Sequence, residues 1–349
     1  MTQFFRSILE WIYGLVGSYG IAVVLFTILI RCILTPLEVS SRKGMRKMAE
    51  IQPKLNALQQ KYGKDQAKLQ QKQQELMKKE HYNPMSGCLP MLIQFPILFI
   101  MFYAMRDVAN SNIANQAFTF LKGETPIYER FLWIKNVFMP DNLFKPAAVD
   151  ANSLLAASAK IWDEVLLKLS STDLETILAN IRAAVPAAAD LTQEQILNFT
   201  SNAAARTTVN TYLLPALQSM PAYTEALAPV PGWANVRLLI VSVTLYKHFN
   251  GLLILPILSG LTQIMMTKLN PTMQTNTDTA NNGQANGTNA FMKWFFPLFS
   301  VFICLSSNAG FALYWCAINV FSTGQSILIN KYLDKKDAQK KAIEGGTVE

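Results

Sequence analysis

Arg31 stands in the last third of an apolar run, Gly20 to Leu37 (GIAVVLFTILIRCILTPL), with Thr27 four residues earlier on the same helix face. A guanidinium within hydrocarbon is expensive, from roughly 3 kcal/mol upward at the bilayer centre, so it faces a polar cavity or reaches an interface. The chemistry in prospect is the solvation of polar groups inside a membrane. Snorkelling is the plain alternative: Pro36 is expected to end the helix five residues on, a rise of about 7.5 Å, within reach of a long side chain. On this segment alone both readings stay open.

Other chemistry is hard to find. The only histidines, His81 and His248, lie outside the apolar runs, there is no HExxH and no GxxxxGK[ST] loop, and no run carries the two acids of an aspartyl mechanism. Cys32, Cys88, Cys304 and Cys316 sit in or beside apolar runs without metal-ligand spacing and read as small buried hydrophobes. The expectation is no enzyme, no metal and no cofactor.

The elements that must position Arg31 are apolar. Of 349 residues 51% are hydrophobic and only 15% charged, and the apolar ones cluster at Gly20–Leu37, Leu89–Met105, Leu252–Met266, Phe291–Ser306 and Phe311–Ile329. Arg31 and Lys293 are the charges within these runs. Five membrane spans are predicted, several shorter than the ~20 residues that cross a typical core, which implies local thinning of the bilayer. The fold class is all-α: a polytopic, five-span helical bundle with a cytoplasmic helical hairpin and an inserted external helical domain.

Taken in order, residues 1–18 alternate as an interfacial amphipathic helix rather than a signal peptide. The first span covers 19–37. Residues 38–88 carry eleven Lys or Arg against five acids and are placed in the cytoplasm. Met45, Met48, Ile51, Leu55, Leu58 and Tyr62 recur at helical spacing before Gly63-Lys64-Asp65, predicting a helical hairpin that Pro53 kinks or starts. The second span, 89–106, contains Gln94, on residue type alone interhelical glue. Residues 107–250 belong outside, the stretch Arg106 to Asn250 balancing eleven basic against twelve acidic residues, with a helical insertion at about 142–230 in helices Ser153–Leu169, Asp173–Ala184 and Asp190–Thr200. The third span is 251–268, a flexible cytoplasmic loop 269–290, the fourth span 291–307, the fifth 310–330, and a cytoplasmic tail 331–349. The net charge of +8 follows this topology and points to no specific nucleic acid.

Four blocks carry a resemblance: TILIRCILTPL with MAEIQPKLNALQQKYGKD; NPMSGCLPMLIQFPILFIMFYAM; FLWIKN with LLILPILSGLTQIM; and FALYWCAINVFSTGQSILINKYL. In these the chain resembles the YidC family of bacterial membrane protein insertases, related to mitochondrial and chloroplast insertases. The resemblance implies that Arg31 sits in a polar groove closed outside and open to cytoplasm and lipid, lined by Thr27, Gln94, Asn319, Ser322 and Gln325. Phe26, Phe95, Tyr314 and Trp315 would then stand near its lipid-facing mouth, where bundle packing is their plainer role. It implies a bacterial cell membrane location with external amino and cytoplasmic carboxyl termini, nascent membrane proteins and the lipid bilayer as partners, and the Sec translocon, signal recognition machinery and ribosome as further ones. A monomer is expected to function. The stretch Asn142 to Val230 is longer than the family's usual link, and the tail is shorter than the basic tails of some relatives.

A transporter or channel is the competing class, since intramembrane charge also marks solute pathways. No inverted repeat or chain of acids supports it. A structural scaffold working through the hairpin would be indifferent to Arg31.

Overall fold

A computed structural model describes residues 2–82, 85–238, 241–269 and 285–345. The chain is mostly helical; four of the five apolar runs lie within a helix, and the third, Leu252–Met266, does so from Ile254 on. Of the predicted loop 269–290, residues 270–284 lie outside the described residues, whereas 285–290 are helical instead of loop, the helix of the fourth span starting at Ala285. Two compact units emerge, one of residues 1–24, 100–257 and 302–314, the other of 25–99, 258–301 and 315–349.

In the first unit, α1 (Thr2–Val16) buries Leu9 and Ile12 and leaves Phe4, Trp11 and Leu15 exposed. It stops because Gly17 takes a left-handed conformation, φ 65°, and caps Tyr13 O. Helix α2 (Tyr19–Tyr62) then starts, and at Gly20 a Cβ would lie 2.2 Å from the Phe131 ring, so only glycine admits that approach. The outer part of α4 (Met85–Leu121) contributes Phe118 and Phe120 to an aromatic core, where Trp162 meets Phe118 edge-on at 5.5 Å and stacks on Phe199 at 5.4 Å.

The insertion is helical, but in shorter pieces than its sequence predicts. Ser153–Leu169 is two helices, α5 (Ala151–Ala156) and α6 (Ala159–Leu166), because the Ala159 N–H turns to Asn202 Oδ1. Helix α7 (Ser171–Ala184) matches its expectation closely, with Ser170 as N-cap. Asp190–Thr200 shrinks to α8 (Gln193–Ile196) behind a Thr192/Gln195 capping box. Helix α9 (Asn202–Thr208) passes through a π turn (Val209–Leu213) into α10 (Leu214–Ser219), and α11 (Pro221–Ala226) follows. A two-stranded antiparallel ribbon, β1 (Val236–Leu238) and β2 (Val241–Val243), departs from the all-α expectation.

The FLWIKN block ties this unit together. Asn136 and Asn250 are fully buried; Asn250 accepts the Asn136 N–H at 2.7 Å and donates to the carbonyls of Asn136, Met139 and Pro140. Buried Asp141 accepts from Leu253 N, Leu255 N and Trp133 Nε1, thereby capping α12 (Ile254–Leu269). The turn between α13 (Ala285–Ser306) and α14 (Ala309–Gly345) docks on the same loop, with Ala309 N on Met139 O and Gly310 N on Val137 O.

In the second unit α2 does not end at Pro36, as its sequence led us to expect; it runs through both Pro36 and Pro53 to Tyr62. A proline deletes one backbone donor, and side-chain hydrogen bonds next to it can hold the helix together. Asp65 then caps α3 (Gln66–Lys79), forming the predicted helical hairpin with Ile51, Leu55 and Leu69 buried and Lys54 paired to Glu80 at 2.5 Å. The expected fifth span and the tail as far as Gly345 are one continuous helix, α14.

Candidate functional site

The site is built where α2 and α14 share a polar seam within the second unit. Thr27, Arg31 and Thr35 recur every fourth residue and so lie on one face of α2. Thr35 Oγ1 donates to the Arg31 carbonyl at 3.0 Å, one turn before Pro36. From α14, Gln325 Nε2 donates to Thr35 Oγ1 at 2.8 Å and reaches the same carbonyl at 3.4 Å. Two expected site residues, Arg31 and Gln325, are thus brought onto adjacent turns. The proline that was expected to end the helix sits where this seam crosses it.

The other expected residues behave differently. Asn319 Nδ2 reaches Thr262 Oγ1 of α12 at 3.3 Å, and Ser322 spends its hydroxyl on Ile318 O at 2.5 Å. Thr27 is buried, 1% exposed, while Arg31 and Gln325 are half-buried. Gln94 and Phe95 lie outside the residues whose side chains are described. Of the aromatics, Phe26 and Tyr314 are enclosed by protein, at 0% and 1% exposure, which gives them a packing role. Trp315 is half-buried and donates through Nε1 to Ser300 Oγ of α13 at 3.1 Å. Helices α12 and α13 approach closely at Gly260, where a Cβ would lie 2.7 Å from Val301 Cγ2.

Sequence reasoning missed Arg42 and Arg46, which it left among the lysines of a charged loop. Arg42 is only 3% exposed; it bonds Glu38 Oε1 at 3.0 Å and also Ser326 Oγ. Arg46 binds Asn330 O at 2.9 Å and pairs with Asp334 and Asp337 at 2.7 and 3.1 Å. Thr35, Glu38, Arg42 and Arg46 follow at intervals of three and four, a spacing that marks one helix face. That spacing was the available signal, hidden by the assumption that the helix stopped at Pro36.

Chemically, the seam places an arginine, hydroxyls and amides on helix segments that elsewhere expose large apolar side chains. Ile33, Leu298 and Leu328 are 64%, 66% and 69% exposed, and such surface belongs against lipid or a partner. By length and composition α2 and the Ala309–Gln339 part of α14 suffice to cross a membrane. Among the described residues no group of acidic, His or Cys side chains is arranged to hold a metal.

Several known proteins are similar to parts of this chain. The membrane protein insertase YidC of Clostridium perfringens is 37% identical over 153 residues, 41% of this chain and 58% of that protein. The YidC insertase of Granulibacter bethesdensis is 42% identical over 102 residues, 29% of this chain and 18% of its own, and that of Chlorobium limicola 35% over 136, 39% and 21%. The matched part therefore spans well under two thirds of each of these relatives. The family described as 60Kd inner membrane protein matches residues 11–209 and 209–337, nearly the whole chain. The chain belongs to the 60Kd inner membrane protein family.

Proposed function

We propose that the protein is a membrane protein insertase of the bacterial cell membrane. It receives nascent membrane proteins at the seam of α2 and α14 and releases their hydrophobic helices into the bilayer. The observation that carries this reading is a half-buried Arg31 whose backbone carbonyl meets Thr35 and Gln325 within the apolar stretches of α2 and α14. Polar groups crossing hydrocarbon cost several kcal/mol each when unsatisfied, and a half-buried cation in such a seam shortens that passage. The relatives named membrane protein insertase support it.

In this reading α2, α4, α12, α13 and α14 are five spans, the amino terminus and the insertion lie outside, and the hairpin and the carboxyl end lie in the cytoplasm. Arg31 and Gln325 meet the incoming chain, the buried Thr27 and Asn319 support them from behind, Ser322 stiffens the α14 wall, and Phe26, Tyr314 and Trp315 brace it. No covalent step is involved, so the protein is not an enzyme. The Sec channel, signal recognition machinery and ribosome are partners to be tested, and a monomer suffices.

The test is insertion into liposomes of a single-span substrate with an acidic external tail, read by protease protection. The purified protein raises insertion above empty liposomes, and Arg31→Ala abolishes it while the variant stays folded. Unchanged insertion by Arg31→Ala removes the charge from the mechanism; solute flux without insertion favours a transporter.

A further inference from the structure

Away from the seam, the first unit holds a cavity of 620 Å³ between α1, the start of α2, the outer part of α4 and residues 124–129. Its charged lining is all of one sign: Glu10, Glu124 and Glu129, with no Lys, Arg or His. Two of these charges are already compensated, Glu10 by Arg6 at 2.7 Å and Glu124 by Lys122 at 3.5 Å. Glu129 has no ion-pair partner among the described residues. It is instead fixed in place, accepting the Tyr19 backbone N–H at 2.8 Å.

A second observation is independent of the acids. Tyr19 and Tyr128 line the cavity, and both hydroxyls are closed off from water with no hydrogen-bond partner among the described residues. Tyr19 is only 3% exposed. Natural proteins rarely leave buried polar groups unsatisfied, and a place for a bound partner is one reason they do. The wall beside them is aromatic: Tyr19 meets Tyr13 at 6.1 Å and Phe138 at 5.0 Å between ring centres. Aromatic faces with a nearby carboxylate favour an organic cation.

Size and rim favour a peptide over a lone amine. The volume falls in the range of pockets that enclose whole small ligands, and Ile127 stands 97% exposed among the lining residues, an apolar contact for a chain running past. We infer that this cavity binds a Lys- or Arg-bearing extended peptide segment, the cation seated between Glu129 and the tyrosines. Resting on the insertase reading, it is the external landing site for basic loops or tails of an inserted chain. Membrane potential opposes outward movement of such segments, and an acidic site on the far side offsets that opposition.

The experiment uses the full chain in detergent and a fluorescent peptide, Gly-Ser-Lys-Gly-Ser-Gly with both ends blocked, read by anisotropy. Saturable binding is expected, weakened at least tenfold in Glu129→Gln, which keeps an acceptor for Tyr19 N–H, and weakened in Tyr19→Phe. A peptide with Gln for Lys is expected to bind at least tenfold more weakly than the lysine peptide. Equal affinity of the lysine and glutamine peptides, or of wild type and Glu129→Gln, overturns the site. Competition by glycerophosphoethanolamine as strong as by unlabelled peptide assigns the cavity to a lipid amine and overturns the peptide. In liposomes, Glu129→Gln should slow insertion of a substrate with a lysine-bearing external tail and spare one with an acidic tail. Peptide binding together with no insertion of any substrate upholds the site and overturns the insertase reading instead.

Discussion

Arg31 carries the argument at the scale of single residues, and replacement by Lys is expected to keep part of the insertion activity that Ala loses. Lysine preserves the charge but not the planar fork of donors; liposome insertion measured for both variants separates charge from geometry. Asp141 bears on stability instead. It accepts three hydrogen bonds while fully buried, so Asp141→Ala is expected to destabilise the protein by about 2–4 kcal/mol, measured by chemical unfolding in detergent. Asp150 gives a pH signature. Burial raises its pKa, but Ser153 and Lys145 at 2.9 Å outweigh it and hold the carboxyl below its usual value. A carboxylate depressed on folding adds stability above its unfolded pKa of about 3.9 and loses it as pH falls through the folded value. The melting temperature should therefore fall more steeply below about pH 4 in wild type than in Asp150→Asn.

Between elements, close approach decides more than propensity. Helix α2 can pass the FLWIKN loop only because Gly20 has no Cβ where the Phe131 ring lies. Gly20→Val is expected to cost about 1–3 kcal/mol by overpacking, and Phe131→Ala in the same chain should recover part of it. A double-mutant cycle in unfolding free energy checks this, and additive losses would show that the two do not meet. The helical segments themselves were largely legible, because apolar runs and spacings of three and four are local patterns. The continuity of α2 through Pro36 was not. Beside that proline Thr35 is held by Gln325, a residue nearly the whole chain away in sequence. Similarly, the break between α5 and α6 depends on Asn202, which no window around residue 157 contains.

For the whole molecule, the exposed apolar faces ask for a bilayer. Ile33 is 64% exposed, and on a water-facing helix an aspartate there would be nearly neutral. In a membrane, Ile33→Asp is expected to cost about 3 kcal/mol, read as reduced integration in a glycosylation-type insertion assay; unchanged integration would place that face in water. The sequence by itself determined what local patterning can determine: apolar segments, the amphipathic first helix, the charged hairpin, the family and Arg31 as an anomalous charge. The family follows from resemblance in four sequence blocks; the others follow from periodicity and from the high free energy of placing charge in hydrocarbon, which one segment suffices to reveal. Only the tertiary structure decided which polar residues are committed and which are open. Ser322 turns back on its own helix, Gln325 crosses to α2, Arg42 is buried against Ser326, and Phe26 and Tyr314 are enclosed. Hydrogen bonding and burial are properties of pairs brought together by packing, and a one-dimensional pattern does not contain the partner.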